Sequence, residues 1–232
     1  MNPLVISVMD TITRLKDILL TTPDTHSVHI ARSRTLKQAC VYCVLHNVSP
    51  QQYGPLLEKY IINEYGYTKS DSKDGSGDCT DSKEGRNIEI KVSMGGSKRT
   101  KFNYVQLRPA HSCEMYILVA YYLCIDNVEN EGDLYIFSVP KDSIETLICK
   151  YGSYAHGTVK SNGPITRESL VCTKLEYALR PSFGDACWKE LEQFATTSTS
   201  TSTNANTNTI TTDTLVSDDH EVTHHQPVNP DR

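Results

Sequence analysis

Asp78, Glu89 and Lys91 lie within the short stretch GSGDCTDSKEGRNIEIKVS, residues 75–93. Asn87 to Val92 alternates strictly between polar and apolar residues. That alternation predicts a strand with Ile88, Ile90 and Val92 on one face and Glu89 and Lys91 on the other. Lys83-Glu84-Gly85-Arg86 before it predicts a tight turn, with Gly85 able to take positive φ. A hairpin closed there brings Asp78 back beside Glu89 and Lys91, because cross-strand and diagonal neighbours lie within about 8 Å. Two carboxylates that close repel unless a cation lies between them. Their oxygens are hard ligands suited to Mg²⁺, with Mn²⁺ as a substitute, and Mg²⁺ needs only one or two protein carboxylates. An ammonium at the same place can orient or help deprotonate a water and neutralise developing negative charge. A metal there polarises a phosphoryl oxygen and lowers the pKa of bound water. The chemistry expected of this grouping is metal-dependent phosphodiester hydrolysis. The plainer alternative is a solvated sheet face next to a turn aspartate.

The elements that must position these residues can be read from periodicity. Pro3 to Leu20 has Val5, Val8, Met9, Ile12, Leu15 and Leu19 at helical spacing, and Arg34 to His46 reads as a second helix after the polar turn TTPDTHS. A third starts at Ser49, with Pro50 at its first position and Gln52 at the capping-box position. It carries Leu56, Leu57, Tyr60 and Ile61 as its apolar stripe, and Gly66 stops it. Phe102–Leu107 and Leu134–Val139 are expected strands, and the continuous apolar run MYILVAYYLCI from Met115 is an expected central buried strand. Asp142–Tyr151 is an expected helix with Ile144, Leu147 and Ile148 inward. A strand near Glu176–Leu179 and a short helix capped by Asp185, holding Trp188, Leu191 and Phe194, complete the pattern. The fold class is α/β or α+β, a mixed central sheet flanked by helices.

The run Gly77-Asp78, ten residues, Glu89-Ile90-Lys91 resembles the active-site motif of the PD-(D/E)XK nucleases, although the proline before the aspartate is missing. The resemblance covers residues 50–140, and the single-domain layout is most similar to type II restriction endonucleases. It implies a restriction-endonuclease-like core and Mg²⁺-dependent cleavage of double-stranded DNA at a short sequence. It further implies a homodimer, with a cognate methyltransferase as a further partner. Asp78 and Glu89 are then metal ligands with the Ile90 carbonyl, and Lys91 handles the water. The family's extra helix acid falls on Glu58, with Glu64 as the alternative. Gln106 is the polar residue that supports the site or contacts phosphate. A junction resolvase or a non-cleaving nucleic-acid-binding protein of the same fold is the competing reading.

Charge distribution fits a nucleic-acid partner better than the net charge of −5 does. From residue 196 the tail holds Asp213, Asp218, Asp219, Glu221 and Asp231 against Arg232, so residues 1–195 carry only −1. Ile90–Cys113 has no acid but holds Lys98, Arg99, Lys101, Arg108 and His111. Thr146–Arg167 also has none and holds Lys150, His156 and Lys160. Clustered cations of this kind are what phosphate contacts require. Lys98, Arg99, Lys101, Gln106, Arg108, His156 and Lys160 are the candidate DNA contacts. Residues 1–195 are expected to form the nuclease domain. The Ser/Thr/Asn-rich stretch 196–232 is too poor in apolar residues to order itself.

Two rival sites are weaker. Cys40-x-x-Cys43-x-x-His46 has no second ligand pair and falls in a helical pattern, so core cysteines are expected. His111-Ser-Cys113 lacks an orienting carboxylate. The eight cysteines, without a basic n-region and apolar h-region at the start, are expected to be reduced thiols in an intracellular protein, cytoplasmic or, from a eukaryotic or viral source, nuclear or viral. No run of eighteen apolar residues predicts a membrane span.

Overall fold

A computed structural model describes residues 13, 26–71, 76–95, 100–155 and 163–196. The expected helix Pro3–Leu20 lies outside the described residues except for Thr13, and so does the tail from 197. Three helices come first: α1 (His26–Arg32), α2 (Leu36–Leu45) and α3 (Pro50–Tyr65). The second begins two residues later than its pattern suggested, because the Thr35 side chain accepts from the Gln38 N–H at 3.1 Å and fixes the cap there. The third has the expected start. Gln52 reaches back to the Ser49 N–H at 3.3 Å, and Gly66 closes the helix in the left-handed region at φ 68°. α1 replaces part of the expected polar turn. Its only buried residue is Ile30, so it leaves no periodic signal in the sequence.

The central sheet has five strands: β1 (Thr68–Lys69), β2 (Cys79–Thr80), β3 (Asn87–Gly95), β5 (Met115–Tyr122) and β6 (Asp133–Pro140), in the order β1-β2-β3-β5-β6. β3 and β5 pair in parallel from Ile88↔Met115 to Gly95↔Tyr122, and every other pairing is antiparallel. The sheet is therefore mixed. β5 is sandwiched on both faces, which is why its sequence is a run of apolar residues and not an alternation. Ile117, Val119 and Tyr121 pack with Ile88 and Ile90 under α2 and α3. Tyr116, Leu118 and Ala120 face a second core with Phe137, Ile144 and Trp188.

That second core is closed by α4 (Lys141–Tyr151), α5 (Arg167–Leu170), α6 (Ala186–Glu192) and a small sheet. The small sheet contains β4 (Tyr104–Leu107), β8 (Tyr177–Leu179) and β7 (Ser153–Tyr154), in that order. The expected strand Phe102–Leu107 starts at Tyr104 and pairs with β8, while Phe102 before it stacks on Trp188 with ring centres 5.2 Å apart. Asp185 caps α6 as expected, accepting from the Trp188 N–H at 2.7 Å. Among the described residues no helix is long and apolar enough to cross a membrane.

Candidate active site

The hairpin between β2 and β3 is short. Only Cys79↔Ile88 and Thr80↔Asn87 pair in register, with Gly85 turning the chain at φ 69°. Beyond Ile88 the role of the partner strand passes to one side chain. The Asp78 N–H donates to the Ile88 carbonyl at 2.8 Å, and Asp78 Oδ2 accepts from the Ile90 N–H at 2.7 Å. The carboxylate therefore extends the ladder by one step and is held rigidly. In an extended strand a residue's N–H and C=O point the same way, so the Ile90 carbonyl faces the same open edge as Asp78. The approach to Asp78 is equally constrained. Gly77 sits at φ 87°, and a Cβ there would lie 2.5 Å from the Ile88 oxygen. Only glycine fits.

Glu89 and Lys91, two residues apart on β3, share the face away from Ile88 and Ile90 and form an ion pair. Glu58 of α3 joins them from across the cleft. Its carboxyl is pushed up to about 7, chiefly by burial, then by the Asp78 charge and less by Glu89, while Lys91 and Lys69 pull it down. Burial and Glu89 also raise Asp78, against Lys91, the Ile90 N–H and Lys69. For Lys91 burial works to lower the ammonium, but Glu89, Asp78 and Glu58 overcome it and hold it above its ordinary value. Lys91 is thus a firmly charged group. This favours charge neutralisation over proton abstraction among the two roles expected of it.

These shifts have a stability consequence. A carboxyl whose pKa rises on folding stabilises the native state fully below its unfolded value, 4.5 for Glu58, and loses that contribution as pH rises through about 7. Glu58→Gln stays neutral throughout. Urea melts between pH 4.5 and 8 should show the parent losing roughly 2 kcal/mol more than the variant, at 1.36 kcal/mol per unit and allowing for partial exposure. Equal slopes would show that folding leaves the Glu58 carboxyl at its ordinary value.

A cleft of ≈ 640 Å³ opens between the first half of α3, the open edge of β3 and the β4 wall. Glu58, Lys91, Lys101 and Gln106 all line it. Gln106 is one of the few non-glycine residues with positive φ, 57°, at an irregularity in the pairing between Tyr104 and Leu107. Glu64 is exposed and borders a separate hollow of ≈ 230 Å³ beside α1, so Glu58 is the helix acid near the hairpin. Leu107 pairs with Tyr177, which sets Arg108 beside Glu176, and its Nε donates to Glu176 Oε1 at 2.8 Å. The guanidinium stays partly exposed, pairs with Glu176 and does not line the cleft. Lys98, Arg99, His156 and Lys160 lie outside the described residues. Cys40 and Cys43 are fully buried among apolar side chains, and burial raises both thiols, Cys43 to about 12. Cys113 is likewise buried, its thiol donating to the Met115 carbonyl at 3.0 Å.

Lys69 is the charged residue that the sequence reading missed. It pairs with Cys79, next to Asp78, and its charge is felt by both Asp78 and Glu58. A two-residue strand after a helix carries no periodicity, so nothing in YTKS marked it.

No protein-family model matches the chain, and no curated protein matches it. Among the described residues no three His, Cys, Asp or Glu side chains gather into a ready-made metal cage. That donor set does not suit zinc, which takes four close ligands. Mg²⁺ asks for less, and two hard carboxylates with a carbonyl on an open strand edge meet its demand.

Proposed function

We propose that the protein is a Mg²⁺-dependent deoxyribonuclease with a restriction-endonuclease-like core, cutting double-stranded DNA at a short sequence and acting as a homodimer. The observation that carries this reading is the arrangement along β3, where Asp78 accepts from the Ile90 N–H and Glu89 pairs with Lys91, with Glu58 of α3 near enough for its charge to act on Asp78, Glu89 and Lys91. Carboxyls raised by burial and by one another are the kind that a bound cation would relieve, and such groups cluster at functional sites.

In this reading Asp78, Glu89 and the Ile90 carbonyl hold the cation, which when bound polarises the phosphoryl group and acidifies a water. Asp78 keeps Oδ2 on the Ile90 N–H and offers Oδ1. Glu89 would be the second carboxylate to hold the cation, and Lys91, now its ion-pair partner, would face the phosphate and neutralise charge that develops on it. Glu58 at about 7 is matched to taking the proton of the attacking water near neutral pH. The water oxygen bonds to phosphorus, the bond from phosphorus to one ester oxygen breaks with its electron pair on that oxygen, and a solvent proton completes it to a hydroxyl, so that the cut strand ends in one phosphate and one hydroxyl. A two-fold dimer would place one such site on each strand. A methyltransferase would then be needed to protect the producing cell's own DNA.

The test is incubation of linear, supercoiled and branched DNA with the protein and Mg²⁺. Discrete fragments from linear DNA are expected. Cutting of branched DNA alone would make it a junction-resolving enzyme. Retardation without cutting would leave a binding module.

A further inference from the structure

The β4 wall of the cleft has features that hydrolysis alone does not require. Gln106 is exposed yet held at φ 57°, a conformation that costs a side-chain-bearing residue energy and that glycine takes freely. It lines the same cleft as Lys91 and Glu58. Asn103, also exposed, lines the cleft two residues after Lys101, and its backbone N–H donates to the buried Ser93 Oγ on β3 at 2.7 Å. That bond ties the wall to the strand carrying Glu89 and Lys91. The wall thus brings two side-chain amides and the Lys101 ammonium to the cleft that Glu58 and Lys91 also line. A side-chain amide offers one donor and one acceptor side by side, the pattern that matches the N6 and N7 edge of adenine. The cleft, at ≈ 640 Å³, is too small for a duplex and suits one or two nucleotide edges reaching in from DNA lying across its mouth.

We propose that Gln106, supported by Asn103, reads the base next to the scissile phosphate and selects adenine there, while Lys101 takes the adjoining phosphate. This rests on the nuclease reading above. The strain at Gln106 is kept because the bulge aims the amide.

The experiment is cleavage of a randomised DNA library in Mg²⁺, with sequencing of the cut ends for the parent and for Gln106→Gly, Gln106→Ala and Gln106→Glu. Adenine beside the cut should be enriched roughly fivefold or more by the parent. Both Gln106→Gly and Gln106→Ala should flatten that preference. Gln106→Glu, an acceptor only, should move it towards cytosine. Gln106→Gly should also melt about 2–4 °C higher than the parent, since glycine relieves the strained backbone, while Gln106→Ala should not. Unchanged base profiles in all three variants, or a parent with no preference beside its cut, would overturn the proposal and leave the nuclease reading standing. A parent that cuts no DNA in Mg²⁺ or Mn²⁺ would overturn both.

Discussion

Asp78→Ala should lower the rate of DNA cleavage at least about 10³-fold, and Lys91→Ala about 10²–10³-fold, with little effect on folding. The size follows from what each group does. In the proposed mechanism Asp78 is one of only two charged ligands to the cation. Lys91 is the one ammonium on the acid-bearing face of β3. The small effect on stability follows from opposing terms. Loss of Asp78 leaves the Ile90 N–H without its acceptor, which costs about 1–2 kcal/mol. It also removes a carboxyl that burial and Glu89 make unfavourable, which offsets part of that cost. Rates from plasmid nicking and melting curves on the same samples separate the two effects. Cleavage by both variants at the parent rate, with folding intact, would mean the chemistry lies elsewhere.

Gly77→Pro should unfold the hairpin even though it writes the PD-(D/E)XK pattern more fully into the chain. Proline holds φ near −65°, and the backbone here needs φ 87°. The Ile88 carbonyl also lies 2.5 Å from where a Cβ would sit, and that carbonyl accepts the Asp78 N–H. Relief of the clash requires the ladder to move, which displaces the Asp78 carboxylate from Ile90. A loss of about 3 kcal/mol or more is expected, together with loss of cleavage. Gly77→Ala should show the same direction with a smaller effect. Urea denaturation of the three proteins measures this, and a proline variant as stable as the parent would show that the turn has been misread.

The missing proline therefore has a physical reason. The hairpin was legible because alternation in Asn87–Val92 and the Gly85 turn are local signals, and so were α3 and α4, whose caps and stripes sit within one turn of each other. β5 was legible as a run because both of its faces are covered. What could not be read depends on contacts distant in sequence. β4 looks like a neighbour of β3 but pairs with β8, some seventy residues on, and that pairing turns Arg108 onto Glu176. Glu58 was favoured over Glu64 on sequence because it borders the apolar stripe. Its approach to Asp78 comes from the packing of α3 against β3. Lys69 and the left-handed Gln106 left no trace, since a two-residue strand and a bulge are products of tertiary packing.

The most direct measurement is a crystal of the protein soaked in Mn²⁺ and recorded for anomalous scattering. A single strong peak is predicted at coordination distance from Asp78 Oδ1, the Glu89 carboxylate and the Ile90 carbonyl, with Lys91 turned away from Glu89. A map with no ion at that edge, and Lys91 still paired with Glu89 at saturating Mn²⁺, would contradict the account.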